Sequence, residues 1–227
     1  ITPSGIKYEK LKLTDIVFMS LKTEYDYLKI ANSGLNPSSE WRFHQDIYRK
    51  KPEAKAIVHT HSAHATAIST HRKSIPPFHY MIALMGGDDI KCADYATFGT
   101  KELSQNILKA LEKRKACLMA NHGQIAFAES LSKAFELAQE VENICHQYFL
   151  AIKLGEPKNL TFAEMQKILE KVKGYKRGEF FMVKVGEHIT IDFLGVKKDY
   201  TPEFYEKIIY TIAKAAKVEI LNVASHR

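Results

Sequence analysis

Cysteine is scarce in this chain. Of its 227 residues only three are cysteine (Cys92, Cys117 and Cys145). They are odd in number, widely spaced and free of any CxxC, which excludes a disulfide framework or a cysteine zinc site and suits a reducing compartment, the cytoplasm. No run of about 18 apolar residues occurs, so no helix is expected to span a membrane. No charged segment followed by an apolar run opens the chain, so the signal-peptide pattern is missing. Internal repeats and low-complexity tracts are absent too. Lys and Arg number 33 against 26 Asp and Glu, a net charge of +7. The lysines are spread along helical surfaces (Lys109, Lys113, Lys167, Lys171, Lys173). With no aromatic and arginine platform and no reader motif, no nucleic-acid partner is expected. The chain starts at Ile1 rather than Met and stops at Arg227 just after an apolar, strand-like run, which raises the expectation of a fragment.

What is present is an ordinary globular composition, 45% hydrophobic and 26% charged, with ample material for a core. Asp15–Leu21 reads as a strand. Ser38-Ser39 are expected to open a helix carrying Trp41, His44 and Tyr48. Ala56–His61 is an apolar run that turns polar at its end, followed by a helix through Ser69. Lys115–Ala120 is a buried strand, stopped at Asn121-His122-Gly123, and Gln124–Ala128 continues the pattern. Leu131–Leu154 has apolar residues at helical spacing over its whole length, and a shorter helix runs from about Phe162 to Val172. After Gly178 the texture changes. His188–Leu194 reads as strand, Pro202–Ala216 as helix and Val218–Val223 as strand, one β-α-β unit behind a Gly- and Lys-rich linker.

The sharpest chemical signal is His59-x-His61. On a strand, positions i and i+2 share a face, so two imidazoles aim at one point. His122, at the end of another strand, could complete three nitrogens with an open position, the donor set of a catalytic Zn²⁺. Taken alone, an HxH pair is more often a surface or hydrogen-bonded feature than a metal site. His44, His71, His79, His146, His188 and His226 lack such partners and read as structural. Pro37-Ser38-Ser39-Glu40 offers hydroxyls and exposed N–H groups at a helix start, which can bind phosphate or merely cap the helix. Glu40 falls in the first turn, where the helix dipole favours a carboxylate.

In combination these residues resemble the class II aldolase/adducin family and, within it, the L-fuculose-1-phosphate aldolases. The likeness runs from Ile1 to about Tyr175 and rests on ITPSGI (1–6), PSSEWRFH (37–44), VHTHSAHATA (58–67), SIPPFHYMIA (74–83), ATFGT (96–100) and NHG (121–123), in that order. The resemblance implies an α/β fold of three α/β/α layers around a mainly antiparallel sheet. It implies one Zn²⁺ per subunit on His59, His61 and His122, with Glu40 as the acid/base residue that can also sit on the metal. It places Ser4, Gly5, Ser38 and Ser39 at the substrate phosphate, Tyr80 as a catalytic tyrosine, and Phe98 and Tyr175 at the substrate. A homotetramer acting on a small phosphorylated sugar is implied as well. Ser4 stands where these aldolases usually have Thr, which keeps the hydroxyl, and Val172 stands at a family Phe position.

The expected chemistry is cleavage of a ketose 1-phosphate to dihydroxyacetone phosphate and a small aldehyde. A sugar-phosphate 4-epimerase, a methylthioribulose-1-phosphate aldolase or dehydratase, and a non-catalytic adducin-like scaffold are the alternatives. Glu40 and ATFGT favour the aldolase over the epimerase and dehydratase, and the intact histidine set argues against the scaffold. Gly186 to Arg227 resembles the start of bacterial S-adenosylmethionine decarboxylase without its self-cleaving Glu-Ser-His motif. The expected domains are therefore 1–178 and a partial segment, 179–227.

Overall fold

The protein is described from a computed structural model, covering residues 1–22, 34–173, 181–185 and 188–192. It divides into two units, Ile1–Val172 and Lys173–Arg227.

In the first unit, α1 (Trp41–Lys50) leads to β1 (Ala56–Thr60) and α2 (Ala63–Ser69). A 3₁₀ segment (Tyr80–Met85) precedes β2 (Cys92–Ala93) and α3 (Lys101–Ala110). The hairpin β3 (Ala116–Met119) and β4 (Gly123–Ala128) is followed by α4 (Leu131–Lys153) and α5 (Phe162–Lys173). The sheet order is β1-β4-β3-β2. Strands β1 and β3 both run antiparallel to β4, and the short β2 runs parallel to β3.

The order explains the composition of the strands. Every residue of β3 and β4 is buried, because these are the central strands and both of their faces are covered. Alternation sorts them between two cores. Leu118 and Ala126 join Ile68, Ile82, Leu137 and Val141 under α2 and α4. Cys117, Met119, Ile125 and Phe127 join Phe43, Ile47, Leu103 and Ile107 under α1 and α3. This is an α/β fold of three layers with a mostly antiparallel sheet. Helices α3 and α4 begin at side-chain caps: Thr100 Oγ1 accepts from Leu103 N–H (3.2 Å) and Ser130 Oγ from Lys133 N–H (3.3 Å). All three cysteines are free. Among the described residues no helix is long and apolar enough to cross a membrane.

Two local expectations need correction. Asp15–Leu21 is not a strand: Asp15 ends a 3₁₀ turn, and the extended residues after it join no sheet. Instead Val17 N–H donates to Ile1 O (2.9 Å), the carbonyls of Ser20 and Leu21 accept from the side chains of Gln45 and Arg49, and Phe18 lies exposed. The helix after Pro37 begins at Trp41, not at Ser38. Ser38 and Ser39 form the preceding turn, with Glu40 at the N-cap position.

In the second unit β5 (Phe181–Val185) pairs antiparallel with β6 (His188–Asp192). A hairpin therefore stands where a lone first strand was expected. Pro202–Ala216 and Val218–Val223 lie outside the described residues.

Candidate active site

His59 and His61 leave the end of β1, and His122 sits in the turn between β3 and β4. The antiparallel β1–β4 ladder, with His59 opposite Ile125, brings that turn beside the strand end. One ring nitrogen from each imidazole lies within 4.8 Å of the others. The rings of His59 and His122 meet edge-on at 5.0 Å, and those of His61 and His122 at 4.8 Å. His59 Nδ1–H donates to the backbone oxygen of Gln124 (2.8 Å), which leaves the lone pair on Nε2, 3.0 Å from His61 Nε2. A carbonyl can only accept, so this bond fixes the tautomer and turns the free nitrogen toward its neighbours. Burial drives the His59 pKa down to about 3 and that of His122 to about 4, with the other imidazoles adding to both shifts. Both rings are therefore neutral near pH 7, as metal ligands must be.

The sequence NHG has a separate reason at each residue. Asn121 takes a positive φ of 54°, turning the chain back after β3. Gly123 lets β4 start against β1, since a Cβ there would lie 2.4 Å from Thr60 O and 3.2 Å from the His61 Cα.

Glu40 is only 9% exposed, and among the described residues its Oε2 has no hydrogen-bond partner. Desolvation raises its pKa to about 7, so this carboxyl can both hold and release a proton at neutral pH. Its N–H donates to Ser38 Oγ (3.3 Å).

The two serine segments come together. Ser4 N–H donates to Asn36 O and Ser38 N–H to Thr2 O, both at 2.9 Å, on either side of a Pro3–Pro37 bridge. Gly5, at φ +80°, turns the first segment. ATFGT abuts the second: Gly99, at φ +74°, passes so near that a Cβ would lie 3.2 Å from Ser39 O. Ser4, Gly5 and Ser39 are exposed and Ser38 is half-buried, leaving hydroxyls and backbone accessible to a ligand.

This arrangement coincides with known proteins. The family model "Class II Aldolase and Adducin N-terminal domain" matches residues 1–149. The chain belongs to the class II aldolase and adducin family. It is 46% identical over 175 residues to the 5-methylthioribulose-1-phosphate/5-deoxyribulose-1-phosphate aldolase of Rhodospirillum rubrum, covering 77% of this chain and 76% of that one. It is also 46% identical over 176 residues to the L-fuculose phosphate aldolase of Escherichia coli K12, with coverages of 77% and 79%. A solved L-fuculose 1-phosphate aldolase superposes with a TM-score of 0.70 at 42% identity, over 76% of this chain and 78% of its own. The protein is thus a class II aldolase, a lyase.

Not every expected residue of this aldolase meets the imidazoles. Tyr80 is 51% exposed and contacts the ring of its neighbour His79 (4.8 Å). Phe98 is 64% exposed at the tip of the ATFGT loop. Among the described residues the ring contacts of the imidazole set go to each other and to Phe43, not to Tyr80 or Phe98. Tyr175 lies outside the described residues.

The sequence reading passed over three residues. His44, assigned there a structural role, is near enough to His59 to depress its pKa, and burial lowers its own to about 4. Gln124, within a strand that is otherwise apolar, carries the carbonyl that orients His59. Ser69, fully buried, accepts from His122 N–H through Oγ (3.3 Å).

Proposed function

We propose that this class II aldolase cleaves a ketose 1-phosphate of the L-fuculose 1-phosphate kind to dihydroxyacetone phosphate and a small aldehyde. The observation that carries the reading is the convergence of three imidazoles; the buried carboxyl of Glu40, at the head of α1 and raised in pKa, is the candidate acid/base group. The donor set fits a divalent cation of the zinc type. Three imidazoles converge, two of them held neutral by burial and one fixed in tautomer by Gln124 O. His59, His61 and His122 would hold it, and on the family resemblance we assign Glu40 as the group that would join them when substrate is absent. When bound, the cation supplies Lewis-acid stabilisation of the negative charge that develops as the carbon–carbon bond breaks.

The remaining work falls to side chains of the chain itself. Ser4, Gly5, Ser38 and Ser39 bind the phosphate through hydroxyls and turn N–H groups, and so fix the ketose end. Glu40 moves a proton on and off the carbon that becomes the hydroxymethyl of dihydroxyacetone phosphate, a task its near-neutral pKa suits in both directions. Tyr80, Phe98 and Tyr175 are assigned to the aldehyde end. Since Tyr80 and Phe98 project outward, we assign these roles within a homotetramer, checked by sedimentation velocity. We place the enzyme in the cytoplasm, in keeping with its three free cysteines.

Methylthioribulose 1-phosphate or 5-deoxyribulose 1-phosphate cleavage is a second reading, favoured by the equal identity to the Rhodospirillum rubrum aldolase. The full chain, loaded with Zn²⁺, is assayed with each sugar phosphate, and dihydroxyacetone phosphate is followed by coupled reduction to glycerol 3-phosphate. Release from fuculose phosphate with the higher kcat/KM supports the first reading, and the reverse order supports the second. Absence of dihydroxyacetone phosphate from every substrate would sink both. For residues 179–227 we infer a partial unit like the start of bacterial S-adenosylmethionine decarboxylase, on the HITIDFL and VEILNV runs.

A further inference from the structure

Polar groups that the proposed reaction leaves unused converge on α2, the helix between two of the three imidazoles. Its N-cap, Ser62, directly follows His61. The carboxylate of Glu142, from α4, satisfies its first turn: Oε1 accepts from His64 N–H (2.9 Å) and His64 Nδ1–H (2.8 Å), and Oε2 from Ala65 N–H (2.9 Å). Gln124 Nε2–H₂ donates to Ser62 Oγ and to Ala138 O, both at 2.9 Å, tying the same turn to β4 and α4.

The other end of α2 grips His122. Ser69 is fully buried, and its carbonyl accepts from Asn121 N–H (3.2 Å). Its Oγ accepts from His122 N–H (3.3 Å) and donates to Thr66 O (2.7 Å). Thr66 Oγ1 donates to His122 O (3.5 Å). The His122 N–H also makes a turn bond to Met119 O (3.0 Å), but no strand ladder includes this residue. Helix α2 thus touches both backbone polar groups of His122.

We propose that α2 is a strut that sets the separation of His61 and His122, and that Ser69 is the positioning residue at its far end. A helix holds its rise per residue rigidly, so with both ends tied, the ligand following its C-terminal clamp and the ligand preceding its N-cap keep a fixed spacing. Loss of the Ser69 hydroxyl removes the side-chain bond to the His122 N–H, and so loosens that turn, while removing no ligand. Outer partners of this kind commonly change metal affinity by about 10- to 100-fold.

This inference rests on the metal-site reading, and the experiment separates the two. Full-length parent, Ser69→Ala, Ser69→Cys and Ser104→Ala proteins are stripped of metal. Zn²⁺ affinity is measured by competition with a chromophoric chelator, the visible spectrum of bound Co²⁺ is recorded, and thermal unfolding is followed in EDTA. Ser104 is the control: it is equally buried, but its Oγ donates to Asp46 Oδ2 (2.6 Å) between α3 and α1. Ser69→Ala and Ser69→Cys are expected to bind Zn²⁺ about 10- to 100-fold more weakly, with altered Co²⁺ bands. Ser104→Ala is expected to melt lower yet match the parent in affinity and spectrum. The Cys variant keeps the side-chain volume and decides the matter if the Ala variant does not fold. Ser69 variants with parental affinity and spectrum overturn the strut, as does a Ser104→Ala protein weakened to the same degree. A parent that takes up neither cation overturns the metal-site reading itself.

Discussion

Asn121, His122 and Gly123 are adjacent, yet each answers a different physical demand: a left-handed backbone, an imidazole donor and a strand start that tolerates no Cβ. Gly123→Ala would set a methyl 2.4 Å from Thr60 O, where only a shift of one strand relieves it. The expected cost is about 1–3 kcal/mol of stability, with a loss of bound metal because the His61 Cα lies in the path of that shift. Thermal unfolding and metal content per chain check both parts, and an alanine variant with the parent's metal content would contradict the close-approach argument. Glu40→Gln keeps the shape of the carboxyl but cannot exchange protons. It is expected to retain all three imidazoles and much of the metal, while hydrogen exchange on dihydroxyacetone phosphate falls by about 100- to 10,000-fold. Solvent deuterium incorporation measures it, and parental exchange in the variant would remove Glu40 from the acid/base role.

Helix α2 depends on a carboxylate from a distant helix. Glu142 lies on α4 and accepts three bonds from the first turn of α2. Burial alone would raise its pKa, but these hydrogen bonds together outweigh that and lower it. The stabilisation is therefore present at neutral pH and is lost as pH falls through the lowered value. Glu142→Ala is expected to cost about 1–3 kcal/mol near pH 7, with the gap to the parent narrowing in acid; urea unfolding at both pH values tests it. At this scale the sequence was informative where apolar period and length agreed. β1, β3, β4 and the long α4 all stand near their expected bounds, because runs such as ACLM and GQIAFA are buried on both faces. Asp15–Leu21 misled because its apolar residues are local: Val17 is buried and Phe18 is not. β2, at two residues, is too short to leave a period. HxH and NHG marked the three imidazoles that converge, whereas Ser69 left no signal, since nothing in a serine on a helix tells which turn it will meet. Gln124 did leave one, as a polar residue inside a wholly buried strand.

Across the molecule, the same burial that prepares the site makes it sensitive to acid. His44, His59 and His122 have pKa values lowered from 6.5 to about 4, 3 and 4 by desolvation, so between these limits the unfolded chain binds protons that the folded one refuses. Glu40, raised from 4.5 to about 7, acts in the opposite sense, one group against three. The metal-free protein is therefore expected to lose stability as pH drops from about 6.5 toward 4. A urea midpoint at pH 5 equal to or above that at pH 7 would contradict this balance.

The hydrogen bond between His59 and Gln124 joins residues separated by 65 positions, and the ladder around it pairs Ala56 with Ala128. Closing so long a loop precedes any reward from the contacts it allows, which places this pairing among the slower steps of folding. Of the three imidazoles that converge, a growing chain therefore holds only His59 and His61 near one another until Gly123–Ala128 has been synthesised and zipped against β1. The order of synthesis itself delays the full three-imidazole site until the sheet that supports it exists.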